Sequence, residues 1–260
     1  MKYPEDYVNQ IVQGDCLKVI KSIPTESIDL IIIDPPYVNV TNESWDRSET
    51  VTNELSSELH RISKQSASIY IWCGIGEKSQ SLIRWFPIFS QHWFFKDLIT
   101  WKKNRGNGNK KGWLYTREEC MWFVKNNKQF LWNRDEQYSN EKRPWNVYKS
   151  GGEMVNKSEY KRLTNVWTDI NEVGFGNSPK KFKEIRDKLT YTPKPIEAIE
   201  RIIKAHTNEN DIVLDCFLGS GTTAIASINT NRQFIGIELN PDYCNLARNR
   251  IRELYETKTI

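Results

Sequence analysis

Residues 211–238 read DIVLDCFLGSGTTAIASINTNRQFIGIE. Asp211–Phe217 is apolar and β-branched in its middle and reads as a strand; Gly219-Ser220-Gly221 is a tight turn. Thr222–Thr230 reads as a helix and Gln233–Glu238 as the next strand. Strand, short link, helix and strand in succession is the pattern of a parallel, doubly wound α/β sheet. Between the first strand and the helix, glycines let the chain fold sharply and bring its backbone close to a ligand, because no Cβ intervenes. Glu238 ends the following strand, 17 residues after Gly221, where a carboxylate can accept both hydroxyl protons of a ribose. The same glycines also suit a plain packing turn. The turn lacks the Gly-Lys-Ser/Thr ending of a P-loop, which disfavours a triphosphate.

Upstream the alternation continues. Asn9–Gly14 is a short strand candidate, and Asp15 can cap a helix over Cys16–Ser22. Ile28–Ile33 (IDLIII) is apolar almost throughout, as a parallel strand buried on both faces should be. It runs into Asp34-Pro35-Pro36-Tyr37, where two prolines forbid further ladder pairing. A carboxylate, two rigid residues and an aromatic thus stand at the carboxyl end of a parallel strand, where such sheets place ligands. Asp34 and the Pro35 carbonyl can accept both protons of an exocyclic amine, and Tyr37 can stack on a planar base. A proline-rich turn with Asp34 as its cap is the plainer alternative. Ser68–Trp72 is a further strand, with Cys73, Gly74 and Gly76 behind it. Towards the C-terminus, Pro195 suits the first position of a helix striped by Ile196, Ile199, Ile202 and Ile203. Asn240 and Pro241 open the last helix.

The middle differs. Lys102–Lys111 (KKNRGNGNKK) holds five basic residues and no acid, and reads as a mobile basic loop. Cys120–Val124 reads as a strand, and from Lys125 to Leu189 the periodicity is poor, so irregular structure grafted on the main domain is expected. Between Lys102 and Lys188 there are 20 Lys/Arg against 11 Asp/Glu, a surplus of +9 in a chain whose net charge is +4. A basic middle between acidic ends suggests a polyanionic partner as much as a solvated surface. Trp113, Tyr115, Trp132, Tyr138, Trp145 and Tyr148 in this segment can wedge or stack against bases, although aromatics in a segment of this length more often form its own small core.

The chain has 260 residues, 38% hydrophobic and 27% charged, enough for one large domain with an insertion and unlike a disordered or membrane protein. No apolar run is long enough to cross a membrane, and the opening residues show no secretory h-region. The five cysteines are scattered without a C-x-x-C, which argues against a zinc site or disulfide scaffold and for reduced thiols in the cytoplasm.

Asp-Pro-Pro-Tyr upstream and Asp-Cys-Phe-x-Gly-Ser-Gly-Thr-Thr downstream together resemble the amino-group DNA methyltransferases that use S-adenosylmethionine. Their order, with the catalytic motif first, a basic variable segment next and the cofactor motif last, resembles the β class of type II restriction–modification systems. Gly14-Asp15-Cys16, Trp101-Lys102-Lys103, Thr116–Lys125 and Thr192-Pro193-Lys194-Pro195 resemble further blocks of that family. Three positions depart from it. Val38 stands where Asn often follows the tetrapeptide, Cys216 stands in a position often held by Pro, and Leu189-Thr190-Tyr191-Thr192 replaces a block that often begins with His.

The resemblance implies a Rossmann-like methyltransferase sheet with an inserted target-recognition segment. Residues 1–101 would form the catalytic part, 102–190 the target-recognition and DNA-binding segment, and 191–260 the cofactor-binding part. Asp34, Pro35, Pro36 and Tyr37 would be catalytic. Asp15 and Cys16 would lie by the cofactor adenine, with Asp34 beside the cofactor as well. Phe217, Gly219 and Gly221 would wrap its methionine part, with Asp215, Ser220 and Thr222 alongside. Glu238 would hold the ribose, and Lys194 would meet the methionine carboxylate unless it is a surface lysine. Lys102, Lys103, Arg105, Lys110 and Lys111 would contact phosphates. The expected cofactor is S-adenosylmethionine, leaving as S-adenosylhomocysteine, with no metal. The expected partners are double-stranded DNA and, in a restriction-linked setting, a cognate endonuclease; a homodimer stays open, and no membrane is expected. The setting would be the cytoplasm of a bacterial or phage-type host.

Adenine N6 is the first reading of the target, because Asp-Pro-Pro-Tyr leans to adenine in the family and the small residues after Trp72 would leave room for a purine. Cytosine N4 is the runner-up. An RNA methyltransferase, a non-catalytic DNA-binding subunit and a nicotinamide oxidoreductase are the remaining alternatives; the last leaves Asp-Pro-Pro-Tyr without a job.

Overall fold

The computed structural model describes residues 2–38, 49–76, 79–107, 111–142, 159–172 and 193–258, without the side chains of residues 105, 107, 140 and 258. One eight-stranded sheet organises the chain. In chain order its strands are β1 (Gln10–Gln13), β2 (Ile28–Ile33), β3 (Ser63–Cys73), β4 (Phe94–Asn107), β5 (Tyr115–Val124), β8 (Val166–Trp167), β9 (Ile212–Asp215) and β10 (Gln233–Glu238). Across the sheet the order is β1-β10-β9-β2-β3-β5-β4-β8, and β6 (Tyr138–Lys142) pairs with β7 (Tyr160–Arg162) apart from it. Every neighbouring pair is parallel except the two that β5 makes with β3 and β4. The carboxyl ends of β1, β10, β9, β2, β3 and β4 therefore share one edge.

β2 shows why the sheet is buried on both sides. All six of its residues are buried. Ile31 and Ile33 pack on one face with α2 (Asn53–Ile62) and α3 (Ser81–Phe89); Leu30 and Ile32 pack on the other with Ile199, Ile202 and Ile203 of α4 (Ile196–His206). A period-two strand sandwiched between helical layers is apolar nearly throughout; the one exception, Asp29 at its start, is paired with Lys64 and the Ile212 amide. α1 (Cys16–Ile20), α5 (Thr222–Asn229) and α6 (Pro241–Lys258) complete the helices, and Asp15 caps α1 by accepting the Lys18 amide at 3.0 Å. Chain order reverses between β2 and β9: from β2 the chain moves outward to β3, and from β9 outward to β10. The ladder between β2 and β9 pairs only Leu30 with Val213 and Ile31 with Leu214, so their carboxyl ends diverge into a crevice, the usual ligand site of such sheets.

The middle segment corrects two expectations. β4 continues through Lys102 to Asn107, so the first half of the expected loop is strand. Lys102 pairs with Arg117 and Asn107 with Tyr115, and this pairing with β5 organises a stretch that has no apolar alternation. Residue 102 thus lies inside a strand of the main sheet, and β5 belongs to that sheet as well. Pro195 is the N-cap of α4 rather than its first helical residue. Among the described residues no helix is long and apolar enough to cross a membrane.

Candidate active site

A cavity of about 600 Å³ opens at the shared carboxyl edge. Its wall includes Asp15 and Cys16 after β1, Asp34 and Pro36 after β2, Trp72 near the end of β3, Lys194 before α4, Asp215–Ser220 and Thr222 after β9, and Glu238 ending β10. Residues scattered over more than 200 positions meet there because the parallel strands all end on one side.

The glycine turn is held from within. The buried carboxylate of Asp215 accepts the Phe217 amide at 3.0 Å and the Thr223 hydroxyl at 2.6 Å. Burial pushes its pKa up to about 7. Glu238 accepts the Gly219 amide on one oxygen and the Asn240 amide on the other, both at 2.8 Å. Each carboxylate oxygen has a second lone pair, so Glu238 can still receive hydroxyls; burial raises its pKa. Gly219 and Gly221 both have positive φ, +53° and +87°. They divide the work: a Cβ on Gly219 would face open space, whereas one on Gly221 would meet Ala247 Cβ of α6 at 2.8 Å. Gly221 is thus a close-packing residue, not part of the cavity wall as expected. Cys216 puts its thiol against that of Cys16; this contact lowers the pKa of Cys16, and burial raises that of Cys216.

Asp34 sits across the cavity from this turn. Its Oδ2 accepts Lys194 Nζ at 2.5 Å, and its Oδ1 accepts the Tyr37 hydroxyl at 3.0 Å. Tyr37 is turned inward onto Asp34, with its ring edge-on to Trp85 at 6.0 Å, so it supports Asp34 from behind where a stacking surface was expected. Pro35 and Tyr37 are not part of the wall, and neither are Cys73, Gly74 or Gly76; Trp72 is. The room for a purine expected from those small residues is therefore not located there. Lys194 is no surface lysine: its side chain is 10% exposed and also stands 3.3 Å from Glu118. Burial pulls its pKa down, but Asp34 and Glu118 outweigh this and hold it above the ordinary lysine range. Glu118 and Trp72 escaped the sequence reading. Glu118 reaches the site only through the antiparallel register of β5, which local sequence does not announce.

Among the described residues, Trp72 Nε1, Thr50 Oγ1 and Thr222 Oγ1 are buried without a hydrogen-bond partner, and all three residues line the cavity. Buried polar groups are rarely left unpaired, so the wall is built for a polar ligand. The polar groups of the wall match a nucleoside with an amino-acid tail: carboxylates at Asp15 and Glu238, the backbone of the turn, and an ammonium at Lys194. Among the described residues no group of His, Cys, Asp or Glu is placed to hold a metal ion.

Of the basic residues expected on phosphates, Lys102 and Lys111 are exposed. Lys103 instead turns to Glu118, whose carboxyl it and Lys194 hold below the ordinary range against the opposing effect of burial. The Arg105 side chain, Lys110, Trp145 and Tyr148 lie outside the described residues. The aromatics divide. Trp132 stacks on Trp122 at 5.2 Å in a core with His206, while Trp113, between β4 and β5, is 99% exposed.

The DNA methylase family model covering both the N6 and N4 enzymes matches residues 28–249. The chain belongs to this DNA methylase family. Its matched span runs from the first residue of β2 into α6, so it contains Asp34, the glycine turn and Glu238 together. Among curated DNA methylases, the chain is 30% identical to the type II methyltransferase M1.MboII of Moraxella bovis, over 95% of this chain and 98% of that protein. It is also 30% identical to the DNA adenine methyltransferase YhdJ of Escherichia coli K12, over 93% and 82%. In fold it is similar to M1.HpyAVI in its SAM complex, with TM-score 0.59, 22% identity and 93% and 97% coverage. The PvuII cytosine-N4-specific DNA methyltransferase shares the fold too, with TM-score 0.69, 16% identity and 92% and 85% coverage.

Proposed function

We propose that this DNA methylase transfers a methyl group from S-adenosylmethionine to the N6 amine of an adenine flipped out of double-stranded DNA, within a restriction–modification system. The observation that carries the reading is the Asp34 carboxylate facing the glycine turn and Glu238 across one cavity. When bound, S-adenosylmethionine supplies an activated sulfonium methyl and its own leaving group. Glu238 would hold its ribose, Asp15 and Cys16 its adenine, and the Phe217–Gly219 backbone its methionine part. Lys194 can offer its ammonium to the methionine carboxylate.

A base inside a duplex is out of reach, so the target must be extruded into the cavity. Asp34, which lines the cavity where Pro35 does not, then accepts an amine proton, which localises the nitrogen lone pair. The proton lost from nitrogen leaves toward the carboxylate. No covalent intermediate with the enzyme is required; the chain supplies position and electrostatics. Lys102, Lys111 and the exposed Trp113 lie on the β4–β5 hairpin at the active-site edge, a placement suited to phosphate contact and stacking.

The adenine assignment rests on Asp-Pro-Pro-Tyr and on the likeness to the adenine methyltransferase YhdJ. The cytosine-N4 reading is favoured by the fold match to the PvuII enzyme. A cognate endonuclease is the expected companion, and the cytoplasm the setting. Phe86 of α3 and Phe95 at the start of β4 are exposed and meet edge to face at 5.1 Å, an apolar surface that suits a second copy of the chain. Nucleoside mass spectrometry of DNA modified by the purified protein tests the target: N6-methyladenine is expected, and N4-methylcytosine without methyladenine would replace this reading by the other.

A further inference from the structure

We propose that Glu118 is a positioning residue that draws Lys194 off Asp34 when the target amine enters. The inference rests on the reading of Asp34 as the acceptor of that amine.

Both Asp34 oxygens are engaged in this structure, Oδ2 by Lys194 at 2.5 Å and Oδ1 by the Tyr37 hydroxyl at 3.0 Å. A tyrosine hydroxyl is a neutral donor and leaves the carboxylate its charge. An ammonium at 2.5 Å neutralises it and competes for the lone pairs that an exocyclic amine needs. Lys194 must therefore shift for Asp34 to act. Solvent is closed to it, since its side chain is 10% exposed. The rings of Trp72 and Tyr37 bound it, with centroids 5.4 and 5.8 Å from Nζ. A buried ammonium without a counter-ion is strongly disfavoured; the cofactor's carboxylate would meet Lys194 from the cavity, on the side of Asp34, so a shift away from the cavity needs a second carboxylate in the protein.

Glu118 is placed to be that partner. Its Oε2 is buried and accepts no hydrogen bond among the described residues, although Lys194 Nζ stands only 3.3 Å away. Its Oε1 is fixed by Lys103 from the adjacent strand β4. A movement of about half an ångström would give Lys194 a charge-assisted bond of ordinary length to Oε2 and loosen the one to Asp34. Asp34, Lys194, Glu118 and Lys103 thus form a row of alternating charge in which Lys194 has two acceptors. Only one of them faces the cavity.

The test compares Glu118→Gln, Glu118→Asp and the double variant Glu118→Gln/Lys194→Gln in single-turnover methyl transfer at saturating cofactor, with cofactor and DNA affinities measured separately. Gln keeps the shape but loses the charge, so Lys194 stays on Asp34. The rate should fall at least tenfold while both dissociation constants stay within threefold of wild type. Glu118→Asp keeps the charge and should be faster than Glu118→Gln; a packing role would give the reverse order. Removing the ammonium as well should restore at least threefold over Glu118→Gln, because nothing then masks Asp34. A Glu118→Gln rate within twofold of wild type, a double variant no faster than Glu118→Gln, or Gln outperforming Asp overturns the proposal. Wild-type transfer and its loss in Asp34→Ala test the reading of Asp34, independently of this ranking.

Discussion

The two glycines of the turn should fail in different ways when each is replaced by alanine. Both have positive φ, +53° at Gly219 and +87° at Gly221. Alanine in that region costs roughly 1–2 kcal/mol, and this term is common to both. At Gly221 the new Cβ would stand 2.8 Å from Ala247 Cβ and 3.3 Å from its Cα. Those atoms belong to a buried helix face that cannot simply rotate away, so overpacking adds roughly 1–3 kcal/mol. Gly221→Ala should therefore lose about 2–5 kcal/mol of stability. At Gly219 the nearest atom to a new Cβ is the Phe217 carbonyl oxygen at 4.0 Å, so stability should drop only by the shared strain. That methyl would project from a wall residue where the ligand packs, and cofactor affinity should weaken at least tenfold, or about 1.4 kcal/mol. Urea unfolding of both variants and calorimetry with S-adenosylmethionine measure the two quantities. Equal destabilisation of the two variants, or a Gly219→Ala protein with wild-type cofactor affinity, would refute the division of labour.

Three further outcomes are expected. Glu238→Ala should weaken cofactor binding by about 2–4 kcal/mol, the worth of two partly compensated hydrogen bonds to a charged group, whereas unchanged affinity in calorimetry would reduce Glu238 to a strand-end staple. Lys102→Ala/Lys111→Ala should weaken DNA binding for all sequences alike and lower the log–log salt slope by about 0.9 for each phosphate no longer neutralised; an unmoved slope in titrations at several salt concentrations would put the phosphates on another surface. Asp215 has a folded-state pKa of about 7 against an ordinary 3.8, so the native state binds this proton more tightly than the unfolded chain. Its contribution is complete below about pH 4 and is lost as pH rises through 7, on the order of 4 kcal/mol in total. Urea unfolding from pH 4 to 8 should show this loss in the cofactor-free protein and a flatter profile in Asp215→Asn; parallel profiles would reject it.

Much of this architecture is legible where one local rule decides the outcome. Ile28–Ile33 is apolar at every position but one because both faces are covered, and its structure matches its reading residue for residue. Asp15 as a cap and Glu238 as a strand-end acid follow equally from local chemistry. The reading fails where partners lie far away in sequence. Phe94–Asn107 is one strand although its second half is largely Lys, Asn, Arg and Gly, because β5 supplies the ladder. α3 carries Pro87 in its interior and begins from Gln80 with left-handed φ, so neither its start nor its middle signals a helix. The same limit applies in the site. Asp34 is legible from its place after a buried strand, but the inward turn of Tyr37 and the packing of Gly221 on Ala247 depend on neighbours from other elements. Lys194 between two carboxylates depends on three segments meeting. Glu118 has nothing local to distinguish it, being one charged residue among many in a basic segment.

The most direct test of the account is Asp34→Ala, with methyl transfer to DNA and cofactor affinity measured on the same preparation. Asp34 touches Lys194 and Tyr37, whereas the donors assigned to the cofactor lie mostly on the glycine turn and Glu238. The account predicts that labelled methyl transfer to duplex DNA is abolished while the calorimetric dissociation constant for S-adenosylmethionine stays within a few-fold of wild type. Turnover near the wild-type rate in Asp34→Ala would contradict it.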